Sequence, residues 1–172
     1  MSQQFGPDNA SLRIRTGRTG GAAKAGHDLV IEVESWQATL DREAQPALVL
    51  TADSRSLRVL EGTGGIKSLT DGDKGDIKKT IDKDVLKGTS IEFRSSEVRE
   101  APGGGLSVRG ELSIHGRQAP VTFELVIGDG DRVTGSATVT QSAHGMKPYS
   151  ALFGALKVAD EVRVEFEAQA SL

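Results

Sequence analysis

The residues of this chain whose types could do chemistry are few. His27 stands beside Asp28 at a strand entrance, and His144 sits in Ala143-His144-Gly145. If these three converged in one pocket, they could serve a small hydrolase or isomerase, with an imidazole as general base. The alternative for each histidine is a side-chain bond to nearby backbone, as is common at strand ends. His27 could equally bond the polar end of a ligand. His115 falls in a hairpin turn and is expected to face solvent. No H-x-x-x-H spacing exists, so a zinc site would need all three histidines to meet in space with a carboxylate or water. The expectation is no metal and no cofactor. The carboxylate pairs Asp82/Asp84 and Asp160/Glu161 read as solvated charge, since acid–base work would need a buried partner. Gly62-Thr63-Gly64-Gly65-Ile66-Lys67-Ser68 is superficially like a phosphate loop, but Ile66 separates glycine from lysine and the spacing fails. No G-x-S-x-G elbow is present. No residue pattern here demands catalysis.

Composition narrows the classes further. A chain of 172 residues suits one domain with a sizeable core. A net charge of −3 and a pI near 5.7 argue against a general nucleic-acid binder. Cysteine is absent, which removes thiol catalysis and thiolate metal sites. The opening Met1–Pro7 has neither a basic nor an apolar signal region, so a cytoplasmic protein is the default expectation. No apolar run approaches the roughly 20 residues that cross a bilayer. The 21 glycines favour a turn-rich β architecture.

The elements that would position these residues follow from alternation. Residues 1–10 read as a flexible lead-in, and 11–172 as a single domain. Leu12 and Ile14 mark a first strand. Gly17–Gly26, with Arg18 and Lys24, reads as a mobile loop, either a solvated connection or a receiver for an anion. Asp28–Leu40 reads as one long strand, with Leu29, Ile31 and Val33 on one face and a bulge near Ser35 that hands the apolar parity to Trp36, Ala38 and Leu40. Ala47–Val59 alternates with a break near Asp53-Ser54. Asp76–Lys87 is the expected short helix, with Ile77, Ile81 and Val85 on one side, Asp76 as N-cap and Gly88 as stop. Ser90–Val98, Leu106–Ile114 and Val121–Ile127 form the firmest unit, an antiparallel meander joined by Ala101–Gly105 and His115–Gln118. Arg132–Gln141 and Glu161–Ala170 complete the strands, with Ala143–Leu156 a loop between them. The fold class is mainly β: an antiparallel lipocalin-like β-barrel of about eight strands with one short helix. A sandwich is the rival.

The aromatic inventory, Trp36, Phe93, Phe123, Phe153 and Phe166, exceeds what turns and edges need. Such a barrel either fills with side chains or holds one small ligand. Gly110, Gly135 and Ala137 on the apolar parity would leave room inside, or would only relieve crowding. Both readings stay open at this level.

Gly110-Glu111-Leu112-Ser113-Ile114-His115-Gly116, followed by Val121-Thr122-Phe123, resembles the G-x-L-T-I-x-G and V-x-F segments of the YceI-like family. Ile91-Glu92-Phe93-Arg94-Ser95 after the helix end Asp84–Lys87, and Asp160-Glu161-Val162 at the closing strand, are similar to its I-x-F-x-S and G-D-E-V segments. The family's D-x-x-H-S opening is replaced by Asn9-Ala10-Ser11, and the glycine-rich loop before Gly26-His27-Asp28-Leu29 is longer. The resemblance covers roughly residues 11–170. It implies a barrel that carries or sequesters an elongated apolar ligand, a polyisoprenoid or other lipid, without catalysis. Many family members are exported. On that reading Leu29, Ile31, Trp36, Phe93, Leu112, Phe123, Leu125 and Phe166 would line the cavity, and His27 and Lys24 would meet the ligand's polar end. The partner would be a hydrophobic small molecule rather than nucleic acid, and the oligomeric state, dimer or otherwise, stays open. The remaining alternative is an interaction module with a filled barrel.

Overall fold

The computed structural model describes residues 2–151, 154 and 156–169. Its strands, in chain order, are β1 (Ser2–Phe5), β2 (Ala10–Arg15), β3 (Arg18–Thr19), β4 (His27–Val33), β5 (Trp36–Asp41), β6 (Ala47–Asp53), β7 (Leu57–Gly64), β8 (Ser90–Glu100), β9 (Leu106–Ile114), β10 (Arg117–Ile127), β11 (Arg132–Thr140), β12 (Ser150–Ala151), β13 (Leu156–Val158) and β14 (Glu161–Gln169). One helix, α1 (Asp71–Thr80), lies between β7 and β8. Eleven strands make one curled sheet in the order β1-β5-β6-β8-β9-β10-β11-β14-β2-β4-β7, and β12-β13-β3 make a small second sheet. The class is the expected one, mainly β and antiparallel. The strand count is higher because four strands of two to four residues are too short for alternation to reveal, and two expected strands each divide in two.

The meander β8–β9–β10 follows its alternation closely. Phe93 faces Leu112, and Ile91 faces Ile114. Leu106, Val108, Leu112 and Ile114 of β9 are buried, with Gly110 between them. A bulge between Ser95 and Glu97 shifts the parity of β8, so Phe93 and Val98 both point inward. The β9–β10 turn is two residues, His115 and Gly116, with φ of 56° and 67°. Two left-handed residues match the twist of a tight hairpin.

Two long stretches divide where one strand was expected. The chain breaks at Glu34-Ser35 into β4, beside the edge strand β7, and β5, beside the edge strand β1. The parity switch is therefore a corner that carries the chain from one margin of the curled sheet to the other. Glu34 N donates to Ser56 O, and Asp53 N donates to Ser35 O, which ties the corner shut. The bulge of this stretch lies instead at Val30/Ile31 in the pairing with β7. Ala47–Val59 divides at a full reversal, where Arg55 N donates to the Asp53 carboxylate and Ser54 is buried. Side-chain acceptance of this kind makes Asp a turn former.

The lead-in is a strand rather than a loose segment. Residues 2–5 pair with β5, and Phe5 is buried against Phe166 with ring centroids 5.3 Å apart. A single buried aromatic after polar residues gave no periodic signal. The 17–26 loop is also ordered, into β3 and a 3-10 turn at Ala23–Ala25.

The helix begins earlier than its apolar spacing indicates. Thr70 is the N-cap, in a reciprocal box with Asp73: Asp73 N donates to Thr70 Oγ1, and Thr70 N donates to the Asp73 carboxylate. Gly72 and Gly75 disguised the first turns. Asp76 consequently lies within the helix. A wider turn over Ile81–Val85 ends it, and Gly88, at φ 69°, stops it as expected. Ile77, Ile81 and Val85 face the core.

Candidate functional site

The inward parity of the curled sheet does not meet across the interior. It leaves a cavity of about 600 Å³, within the range of small-molecule sites. The interior is therefore hollow rather than filled. Leu29 and Ile31 of β4, Phe93 of β8, Leu112 of β9, Phe123 and Leu125 of β10 and Phe166 of β14 all border it, as the alternation indicates. Leu29, Phe123, Phe166 and Ala137 are only half-buried although they sit inside the sheet, because part of their surface faces the void.

Trp36 is a correction. It is buried and stacks edge-to-face on Phe166 at 6.0 Å, yet it does not border the cavity. The corner at Glu34-Ser35 places it behind Phe166 in the wall. Its Nε1 is buried without a hydrogen-bond partner among the described residues. Phe153 lies outside the described residues.

Two of the small positions behave differently from the third. A Cβ on Gly110 would strike the Phe93 ring and the Arg94 carbonyl, so this glycine lets strands and ring approach and opens no space. Gly135 borders the void, but Leu125 packs onto it. Ala137 contributes open room.

One end of the cavity is polar. Thr16, Arg18, His27, Asp76, Thr80, Gln141 and Lys157 reach it, beneath α1 and the small sheet. Most of these groups are already bonded. Arg18 Nε donates to Asp28 at 3.0 Å, and its Nη1 donates to the Gly26 and Ala23 carbonyls. The Arg18 charge is thus compensated by a carboxylate and two carbonyl dipoles, so the anion-receiving alternative for this loop finds its arginine already engaged. Leu29 N donates to Thr16 Oγ1, and Gln141 Nε2 donates to Ala159 O. Apart from this rim, Ser136 and Tyr149, the lining side chains are hydrocarbon. Such a surface attracts apolar matter and offers water few partners.

The histidines and Asp28 do not share a site. His27 borders the cavity, and its Nε2 lies 2.7 Å from the Lys67 carbonyl. Asp28 is paired with Arg18. His144, 1% exposed, bonds the Arg117 carbonyl through Nδ1 at 3.0 Å and stands away from the cavity lining. Each imidazole meets a backbone carbonyl, the structural reading. His115 is half-buried rather than exposed, because its Nε2 reaches the Val85 carbonyl at the helix end, 3.0 Å away. Lys24 is exposed on the 3-10 turn and does not border the cavity, though Ala25 does. Among the described residues no cluster could hold a metal ion, and no helix is long and apolar enough to cross a membrane.

Sequence reasoning missed several wall residues: Phe5, Ile14, Ala38 and Leu40, and the helical Ile77, Ile81 and Val85. The helical three were legible as an apolar stripe, but which surface the stripe covers is a tertiary fact. Near the rim one carboxyl is shifted. Asp73 is held below the usual range, chiefly by the Thr70 backbone N–H, then by the Thr70 side chain, with smaller help from Lys67 and His27.

Comparison with known proteins agrees with this architecture. The model of the YceI-like domain matches residues 22–170. No curated protein matches the chain. The crystal structure of Burkholderia cenocepacia BcnA is similar over 94% of this chain and 96% of its own, at 20% identity and a TM-score of 0.68. A mutant CJ YCEI protein prepared for nanotechnology applications covers 81% and 82%, at 11% identity and a TM-score of 0.56. A second mutant of that protein, with a monobromobimane guest, covers 83% and 85% at 12% identity and a TM-score of 0.54. At these identities the likeness is one of fold. The family match spans most of the chain, and the protein therefore belongs to the YceI-like family, a fold known for binding polyisoprenoids and other lipids.

Proposed function

We propose that this protein is a non-enzymatic carrier that holds one elongated apolar molecule, a polyisoprenoid or other lipid chain, inside the curled sheet. The observation that carries the reading is the hollow, hydrocarbon-lined interior of about 600 Å³. At about 30 Å³ per water-sized group, it has room for roughly twenty heavy atoms. Contact with Leu29, Ile31, Phe93, Leu112, Phe123, Leu125 and Phe166 would supply the affinity by burial, at about 25 cal/mol per Å² of apolar surface. Such contacts are non-directional, so length and girth set selectivity more than any functional group does. The bonded state of Arg18, His27 and Gln141 supports carriage over chemistry, because each group is occupied in holding the rim.

The test is native mass spectrometry of protein purified without detergent, followed by organic extraction of whatever it carries. A stoichiometric adduct that extracts as a lipid or isoprenoid is the expected result. Apo protein that also fails to take up added long-chain isoprenoid would overturn the reading.

A further inference from the structure

The Gly62–Ser68 loop has the wrong spacing for a phosphate cradle, and none of its residues lines the cavity. It is nevertheless held in one conformation. Gly64 and Gly65 have φ of 79° and 72°, a region that side chains rarely adopt. Gly64 lies against the Arg18 guanidinium and Gly65 against the His27 ring, so a Cβ on either would collide. His27 Nε2 then bonds the Lys67 carbonyl. These constraints hold Ile66 outward beside the cavity mouth, 86% exposed.

Among the described residues, the exposed large apolar side chains are Ile66, Val126 and Tyr149. Tyr149 borders the cavity and faces solvent on the small-sheet side of the same mouth. Val126 pairs near the start of β11, at the opposite end from Gln141, and lies away from the rim. Single exposed apolar residues are ordinary, so the weight falls on what surrounds this pair. Lys24, Lys67, Lys147 and Lys157 are exposed around the mouth, and none is ion-paired among the described residues. Of the nearby carboxylates, Asp28 is paired with Arg18, while Asp76, Asp73 in the helix cap and Asp160 beside Ser142 keep their charge. Among the described residues, a chain of net charge −3 thus places four lysines without an ion-pair partner, together with these carboxylates, around an apolar opening.

We propose that this rim docks on an anionic lipid surface. Ile66 and Tyr149 enter the headgroup region, and the four lysines meet lipid phosphates. An apolar side chain flanked by lysines is the pattern of interfacial binding, where shallow insertion adds to attraction by anionic lipid. A protein partner would favour a contiguous apolar patch instead of separated tips. One isoleucine and one tyrosine insert weakly, so docking is reversible. The purpose of docking rests on the carrier reading: an apolar ligand would pass between bilayer and cavity without crossing water.

The experiment is co-sedimentation at low ionic strength with phosphatidylcholine vesicles containing about 30% phosphatidylglycerol, against pure phosphatidylcholine. The wild type should bind the anionic vesicles and be released at about 0.5 M salt. Ile66→Asp should weaken binding roughly tenfold, as should Lys67→Glu with Lys157→Glu, whereas Val126→Asp should leave it unchanged. Ile66→Asp alters an exposed side chain, and circular dichroism checks that it folds. No wild-type binding, equal binding to neutral vesicles, or equal weakening by Val126→Asp would overturn the proposal. Uptake of a fluorescent long-chain fatty acid in vesicle-free buffer separates the two readings. Uptake without docking ends this proposal and leaves the carrier. Docking without uptake ends the carrier and leaves the docking surface.

Discussion

The sheet wall and the cavity mouth hold their shapes by different contacts. In the wall, β8–β9–β10 repeats one rule: an inward apolar residue, an outward polar one, and ladder bonds to a neighbour set by a short turn. The outward positions carry charge pairs such as Arg15–Glu165 and Arg132–Glu167, which keep that face wet and contribute little each. At the mouth no such repeat exists. Segments far apart in sequence are pinned by single side chains: Arg18 to Asp28 and Gly26, His27 to Lys67, His115 to Val85 and Gln141 to Ala159. The wall distributes its stability over many burials, while the mouth concentrates its order in a few bonds. Substitutions in the wall should therefore cost stability, and those at the mouth should alter local order or access.

The sharpest way to break that comparison is Trp36. Trp36→Ala should cost about 3–5 kcal/mol by denaturant unfolding. Affinity measured on the folded fraction should hardly change, since the side chain does not touch the cavity. A loss of affinity matching that of a lining residue would put Trp36 on the lumen after all. Trp36→Phe should lie within about 1 kcal/mol of wild type, because removing the orphaned N–H offsets the lost ring volume.

Gly110→Ala is next. The new methyl meets the Arg94 carbonyl and the Phe93 ring, and such overpacking should cost about 1–3 kcal/mol. Wild-type stability would mean that the strand pair has slack it does not display. Ala137→Phe should reverse the pattern. It fills open lumen, so chemical denaturation should change little while uptake of a long-chain probe falls about tenfold, or about 1.4 kcal/mol.

The smallest effects belong to the helix at the mouth. Thr70→Ala removes the half of the cap that Thr70 Oγ1 accepts from Asp73 N, keeps the Thr70 N bond to the Asp73 carboxylate, and should cost about 1 kcal/mol, read as faster amide exchange confined to α1. The same cap gives a pH signature. Asp73 is held below its ordinary value of 3.8. A depressed carboxylate contributes above that ordinary value and loses its contribution as pH falls below it. Helix amides should therefore exchange relatively faster under those acid conditions, and Asp73→Asn, which cannot titrate, should flatten the dependence. Unchanged dependence in the variant would assign the titration elsewhere.

The legible part of the fold was the part with period. Leu106, Val108, Leu112 and Ile114 announce β9 without help, and Val162, Val164 and Phe166 announce β14. Seven of the eight residues read as lining face the void for the same reason. Trp36 fits the same parity and still misses the cavity, because alternation reports the face of a strand and says nothing of what stands between that face and the lumen. Phe5 was invisible for the opposite reason: one inward side chain on a four-residue strand makes no pattern. The helix start was hidden by Gly72 and Gly75, although Thr70 and Asp73 stood at capping-box spacing.

By itself, the sequence determined an antiparallel β protein with greasy inner faces, its central meander, one short helix and a family likeness, because side-chain alternation and turn chemistry are local. Only the tertiary structure decided that the inner faces stand apart around a void, that Glu34-Ser35 is a corner, and that His27 and Arg18 hold the rim. Those outcomes depend on how far the sheet curls and on which distant segments meet, and neither is written in any window of neighbouring residues.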